Sequence, residues 1–576
     1  MKNEILFYSS VMKNGTSKGE LNTFKKKIKY ILRNLIYYKY SKKLARFIMS
    51  DKYLKDKVYN YPVLCSKIHR PYITNTFKMK EKIEIIISSY NFLNTYFNRN
   101  FLFELYEDGI CKICEIEGKN SEKLIFYLKM EVIFMFTYIK LKNYKSLIEL
   151  DVDLTKKENT PKKLISIYGE NGIGKSNFVD SFYTLKRIIS TRTINEKIRI
   201  LSEKQKELQT DDFDKALHFF GQLGNIIKNG FFSNSTDIIN ECKTIDSEDN
   251  MIIEVGFRIK SKSGVYCIET DDTDIISEKL DFTLNKNKVN FFKITKKEKN
   301  LNESVFVDNE YKKEILSIID KYWGKHSLLS LIAYEIEDKK ENYVKKRIFS
   351  GMFEVINFFS SLSILSRNKL EVFKNIEEEK LFYGTLSVNE EKKIINIENV
   401  INTFFTALFS DIKQAYYKKK VDSDKINYIL CFKKNIYNKL IDIEYNREST
   451  GTKNILKILP YLISAAKGKT VIIDEIDNGI HDLLILKILE NLSEDLKGQL
   501  IITTHNTLLL EEDFINKDSI YIFKVDENAN KKLLSLNKFE GRIHPNLSIR
   551  KRYLKGLYGG IPFPMDIDFN ELIEGM

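Results

Sequence analysis

The chain has 576 residues, of which 43% are hydrophobic and 30% charged. This exceeds one ordinary core, implies about two to four domains, and excludes general disorder. Six cysteines over this length argue against a disulfide framework. No apolar run reaches the about 18–20 residues of a membrane-spanning helix, and the N-terminus lacks a secretory pattern, so a cytoplasmic protein without a membrane span is expected.

The net charge of +14 is uneven. Residues 1–130 hold 25 Lys/Arg against 12 Asp/Glu, whereas the remainder holds 68 against 67. A basic excess of this kind is an electrostatic footprint for nucleic acid or an anionic surface, or simply a solvated basic helical face.

Residues 1–134 read as a separate basic α+β module. Leu21–Ser50 and Glu81–Phe97 have helical apolar spacing, and Pro62–Tyr72 is a turn-rich connection. Gly109–Lys129 reads as a β-hairpin turning at Glu117–Asn120. Cys111 and Cys114 form a CxxC with no second pair to complete a zinc site, so they read as strand residues. The run Tyr61-Pro-Val-Leu-Cys-Ser-Lys-Ile-His-Arg-Pro-Tyr72 and the helix after it resemble the N-terminal part of the VirK/YbjX family.

Phe136–Leu147 alternates like an edge strand, and Leu164–Tyr168 is a short buried strand. There follows Gly169-Glu170-Asn171-Gly172-Ile173-Gly174-Lys175-Ser176, which fits GxxxxGK[ST], and then a helix over Ser176–Ile189 that begins with Asn177. Such a loop curls backbone N–H groups around phosphates. Lys175 is placed for the β- and γ-phosphates, Ser176 for Mg2+, and the helix points its positive end at the ligand. These residues assign ATP and Mg2+ as cofactors.

Residues 191–439 read as an insertion of mixed strands and helices. Ile194–Asn229 is expected as helix, Met251–Glu269 as two strands joined at Ser261–Gly264, Glu310–Arg367 and Val388–Lys420 as helices, and Ile426–Phe432 and Leu440–Tyr445 as strands.

Residues 440–576 return to the nucleotide site. Thr470–Ile473 is an apolar strand that ends in Asp474-Glu475. Two carboxylates at a buried strand tip are costly unless a cation and a reacting water use them. Asp474 is placed for Mg2+ and Glu475 for the attacking water. Leu500–Thr504 is a second buried strand and ends in His505, 31 residues after Asp474.

Segments 135–190 and 440–576 resemble the AAA/ABC-type ATPases of the RecF, OLD and abortive-infection group. The resemblance rests on Lys142-Asn-Tyr-Lys-Ser-Leu147, the Asp-Glu-Ile-Asp-x-x-Ile-His run at 474–481, and Thr504-His-Asn506. It implies an α/β P-loop NTPase head of ABC/SMC/RecF type built from both chain ends. It also implies His505 as a γ-phosphate contact. Glu448-Ser-Thr-Gly-Thr452 occupies the place of the ABC signature, where Ser449 and Gly451 would grip the γ-phosphate of ATP bound to a second subunit. The alternative there is a plain helix N-cap. His481 replaces the D-loop aspartate of transporter ATPases, and no Q-loop glutamine is assigned.

Trp323–Ser330 and the tail Arg552–Pro562 are similar to bacterial phage-defence ATPases, whose relatives are often encoded beside a RloB-like or Toprim nuclease. The resemblance therefore implies an anti-phage ATPase sensor that is a homodimer or larger even-numbered oligomer and acts with a partner effector. The alternative is a RecF-like repair ATPase that binds nucleic acid directly. The about 70 residues after His505 are fewer than a Toprim domain of usual size needs, so an OLD-type nuclease in the same chain is not expected; Asp566 and Asp568 read as surface acids.

Overall fold

The computed structural model describes the backbone of strands at 100–105, 110–116 and 122–129. It then describes residues 133–562 apart from 157–159, 208–233, 286, 340, 367–380, 423–424, 528–529 and 540–547, with isolated positions 569 and 573. The helices expected at 21–50 and 81–97, the connection at 62–72, and Asp566 and Asp568 lie outside the described residues. The chain divides into two units, 1–132 and 133–576.

In the first unit β1 (Asn100–Leu105), β2 (Ile110–Ile116) and β3 (Glu122–Lys129) form an antiparallel sheet in that order. Cys111 and Cys114 are both on β2.

The second unit opens with β4 (Phe134–Tyr144), β5 (Leu147–Asp153) and β6 (Leu164–Tyr168), then α1 (Lys175–Glu207) and α2 (Ser235–Cys242). Five strands follow: β7 (Met251–Ile259), β8 (Lys262–Thr270), β9 (Ile275–Leu284), β10 (Asn287–Thr295) and β11 (Lys299–Leu301). Next come α3 (Asn309–Tyr322), α4 (Leu328–Asp338), α5 (Glu341–Lys345), α6 (Ser350–Ser360), β12 (Ser363–Leu365) and β13 (Tyr383–Ser387). The chain continues through α7 (Glu391–Leu408), β14 (Ile412–Asp422), β15 (Lys425–Ile436), β16 (Lys439–Glu444), α8 (Thr450–Ala466) and β17 (Thr470–Ile473). It closes with α9 (Asp482–Asp495), β18 (Gln499–Thr503), β19 (Ile520–Val525), β20 (Lys531–Ser535) and α10 (Ile549–Leu554). No helix among the described residues is long and apolar enough to cross a membrane.

Three sheets result. The first is antiparallel, in the order β11-β10-β9-β8-β7-β4-β5. The second runs β12-β17-β18-β6-β19-β20; every pair is parallel except β19 with β20. In the third, β15 is flanked by β14 on one side and by β13 and β16 on the other. The parallel strands β6, β17 and β18 are buried at every residue, as both-face coverage of a parallel sheet demands.

Four expectations change. The strand at Phe136–Leu147 is not an edge. It sits between β5 and β7, because alternation reports one solvated face and says nothing about neighbours. The helix expected over 388–420 stops at Leu408, and 412–422 is strand, with Ala415 and Tyr417 inward and Lys418 and Lys420 outward. The strands at 275–301 carry no turn signal that the sequence reading used. They extend the sheet begun by β4 and β5, so residues before and after the phosphate loop build one layer. The helices expected over Ser176–Ile189 and from Ile194 onward are one helix, α1, continuous over 33 residues.

One side chain fastens the two large sheets together. Gln499 is fully buried. Its Oε1 accepts from Phe136 N at 2.8 Å, and its Nε2 donates to Phe136 O at 3.0 Å and Lys162 O at 2.9 Å. Thr470 Oγ1 adds a bond to Phe134 O at 2.6 Å. Gln499→Leu keeps the bulk but strands one N–H and two carbonyls, at a cost of about 3 kcal/mol. Denaturant unfolding should show that loss as a lower midpoint; an unchanged midpoint would remove this side chain as the fastening.

Candidate functional site

Strand β6 delivers the chain to Gly169 at the carboxyl edge of the parallel sheet, where open α/β sheets place their ligands. A Cβ on Gly169 would lie 2.9 Å from Phe523 Cβ, so the loop can start there only without a side chain. Gly174 has φ +119° and lies against Leu147 Cδ2, at 3.0 Å from where a Cβ would sit. Helix α1 then begins at Lys175, with its free N–H groups toward the loop.

Lys175 is 5% exposed, and its Nζ donates to Gly169 O at 2.6 Å and Glu170 O at 2.9 Å. Burial pushes its pKa down, while the charges of Asp474, Glu475, Asp477 and Glu170 pull it back up. The ammonium is thus within the field of the acids at the tip of β17. Ile173 is buried, Asn171, Gly172 and Ser176 are exposed, and Asn177 donates to Ser146 Oγ at 2.7 Å.

The register brings the other strand tips to the same edge. Ile473 pairs with Ile502, and Thr503 pairs with Ile167. Asp474 is therefore level with Thr503 and Ile167, and Thr504-His505 and Gly169 follow at the same edge. Asp474 is 6% exposed; its Oδ1 accepts from Thr503 Oγ1 at 2.6 Å, and the same hydroxyl accepts from Glu475 N at 2.7 Å. Glu475 has φ +50°, a left-handed conformation that costs a non-glycine residue about 1–3 kcal/mol and is held by its surroundings. His505 is exposed at the tip of β18, and its N–H donates to Asp477 Oδ2 at 2.9 Å. The loops after β6 and β18 are tied together by Tyr168 OH donating to Asn506 O at 3.1 Å.

Thr503 and Asp477 were not assigned roles from sequence. A hydroxyl ending an otherwise apolar strand one residue before Thr504-His505 was the available signal for Thr503. Asp477 lies in the Asp-Glu-Ile-Asp run, but its role depends on a loop from another strand.

Ser449 and Gly451 are not joined to this cluster. Ser449 caps α8, its Oγ accepting from Thr452 N at 3.1 Å. A Cβ on Gly451 would lie 3.0 Å from Gly479 O, and Asn454 Nδ2 donates to Asn478 O at 2.8 Å. The start of α8 and the loop at 478–479 therefore make one exposed surface. His481 caps α9 through Nδ1, which accepts from Leu483 N at 3.2 Å.

The remaining flagged segments support the site. Lys145 Nζ and Tyr144 OH both reach Asp180 Oδ2 of α1, at 2.5 and 2.9 Å. In the 323–330 segment Trp323 Nε1 donates to Glu278 at 2.9 Å, and Ser330 Oγ accepts from Arg192 N of α1 at 2.8 Å. Burial and the Arg192 charge pull His326 down to about 4, so it is a neutral core imidazole against Thr191 Oγ1, 3.1 Å away. In the tail, Tyr553 OH donates to Gly560 O at 2.9 Å; a Cβ on Gly560 would lie 2.9 Å from Phe523 O and 3.5 Å from Gly169 Cα.

The family model described as "AAA domain, putative AbiEii toxin, Type IV TA system" matches residues 164–511. A second, described as "Protein of unknown function (DUF535)", matches residues 19–171, the region whose 61–72 run resembles the VirK/YbjX family. No curated protein matches. Similar solved structures include the SMC head domain from Thermotoga maritima, 13% identical over 70% of this chain and 98% of that chain, with a TM-score of 0.30. Two others are each 14% identical over 70% of this chain, with TM-scores of 0.32. They are the SmcHead bound to the C-winged helix domain of ScpA, covered over 99%, and the Smc head domain with an extended coiled coil bound to the C-terminal domain of ScpA derived from Pyrococcus furiosus, covered over 98%.

Proposed function

The chain belongs to the AAA-domain family described as putative AbiEii toxin of a Type IV TA system, and from that membership we propose that it binds and hydrolyses Mg2+-ATP as the sensor of an anti-phage system. Its AAA/ABC-type ATPase domain supports that reaction class. The observation that carries it is the strand register that brings the loop holding Lys175 and the Asp474-Glu475 tip of β17 to one edge of the sheet.

The donor set fits a hard cation. Ser176 has an exposed hydroxyl, and Asp474 has one carboxylate oxygen fixed by Thr503 and the other left for a ligand. Ser176 and Asp474 would hold Mg2+, which neutralises charge on the β- and γ-phosphates. The amides of the 169–176 loop and Lys175 hold the phosphate chain. Glu475 takes a proton from the water that attacks the γ-phosphorus, and the bond to the β,γ-bridging oxygen breaks to release ADP. His505 donates to the γ-phosphate oxygens as their charge grows. Thr503 and Asp477 position the acids and the histidine backbone.

The defence role is inferred from the family's toxin–antitoxin description. A Toprim or RloB-like nuclease is proposed as the effector class and a homodimer as the working unit. Phosphate release by the full chain tests the chemistry. It should require Mg2+, stop with EDTA, and be lost in Lys175→Ala because nucleotide binding is weakened. Hydrolysis that persists in EDTA or in Lys175→Ala would sink the assignment. Cells carrying the gene with its neighbours should resist phage, and Lys175→Ala should remove that resistance.

A further inference from the structure

The phosphate loop is approached by a second ammonium that no motif marks. Lys531 is the first residue of β20. Because β20 runs antiparallel to β19 and Lys531 pairs with Val525, it lies at the same sheet edge where the parallel strands end. Its Nζ donates to Ser146 Oγ at 2.9 Å and to Gly172 O at 3.4 Å. Its stem packs on the loop: a Cβ on Gly174 would lie 3.6 Å from Lys531 Cδ.

The surroundings of this cation set it apart. Lys145 pairs with Asp180, and Lys532, next in sequence, pairs with Asp526. No carboxylate among the described residues forms an ion pair with Lys531; its partners are a hydroxyl and a carbonyl. A half-buried cation with neutral partners, fixed at the rim of an anion cradle, retains its capacity for an anion.

The strand order says which end of the ligand it meets. Asp474 and Glu475 follow β17, two strands to one side of β6, whereas Lys531 is on β20, two strands to the other side. At about 4.8 Å per strand the two flanks are each roughly 10 Å from the loop's parent strand. The γ-phosphate belongs with the acids, so the opposite flank takes the nucleoside end. Ser146 is also bonded to Asn177, one residue past Ser176 in the first turn of α1.

We propose that Lys531, with Ser146 and Asn177, forms a second cationic subsite that binds the α-phosphate end of the nucleotide, opposite Lys175. This rests on the ATP reading above. Lys531 leaves Gly172 O for a phosphate oxygen when nucleotide enters, and the packed stem keeps the ordering cost small.

The test is nucleotide binding by the full chain, measured by displacement of a fluorescent nucleotide with a non-hydrolysable ATP analogue and with ADP. Lys531→Gln should weaken both by about tenfold, because both carry the α-phosphate. Lys175→Ala should weaken the ATP analogue more than ADP. Equal affinity of Lys531→Gln and wild type overturns the subsite, and so does a loss confined to the ATP analogue, which would place Lys531 at the γ end. Should Lys531→Gln melt lower than wild type without nucleotide, Lys531→Arg decides. Near-wild-type affinity for both ligands then supports the subsite, and affinity as weak as glutamine's with wild-type melting overturns it. A wild-type chain that binds neither nucleotide overturns the ATP reading itself, an outcome distinct from all of these.

Discussion

Glutamine in place of Glu475 is expected to leave ATP bound and to cut phosphate release by about 100- to 10,000-fold, the range for removal of a positioned general base. The substitution keeps the shape of the side chain and removes only its capacity to take a proton. Glu475 N still donates to Thr503 Oγ1, which holds Asp474. The metal-binding carboxylate and the phosphate loop are therefore undisturbed, and the nucleotide dissociation constant should match that of wild type. Single-turnover phosphate release beside calorimetric binding separates the two effects. A wild-type rate in Glu475→Gln would remove Glu475 as the base, and a lost affinity would mean that the residue holds ligand instead. The left-handed backbone of Glu475 sharpens the expectation. A strained conformation at a strand tip is retained where the side chain's aim matters.

The second large effect concerns assembly. The start of α8 is exposed at Ser449, packs through Gly451 on the loop at 478–479, and points none of its described hydrogen bonds at the phosphate loop of its own chain. The 478–479 loop is the continuation of Glu475, so a ligand seated on the exposed surface would act directly on the turn that aims the base. Its N-terminal amides suit the γ-phosphate of ATP held by a second copy. Ser449→Arg should put a bulky side chain into that contact and abolish cooperative hydrolysis while single-site nucleotide binding survives. Mixing Lys175→Ala with Ser449→Arg subunits gives the sharper result. In a two-fold dimer, random pairing makes half the molecules heterodimers, each with one intact composite site, so about one quarter of wild-type sites should return. No recovery on mixing, together with an ATP-bound monomer by mass measurement, would end the sandwich reading.

The phosphate loop, the acidic strand tip and the histidine strand were legible because each is local. A glycine-rich octet between an apolar strand and a helix, and short apolar runs ending in a polar residue, carry their chemistry within a few positions. Their burial follows from the same runs, since a strand apolar on both faces has to lie inside a parallel sheet. What the amino-acid order left open is everything set by pairing. Alternation in β4 reports one solvated face but not that β7, arriving a hundred residues later, makes it an interior strand. The same pattern read as helix over 412–420 became strand because β15 lay beside it. Gln499 and Lys531 have no sequence signature, since a glutamine that joins two sheets and a lysine that reaches over a loop acquire those roles only from residues on other strands. Periodicity encodes which face of an element is buried, whereas the identity of the neighbour is decided by the long-range packing that closes the sheet.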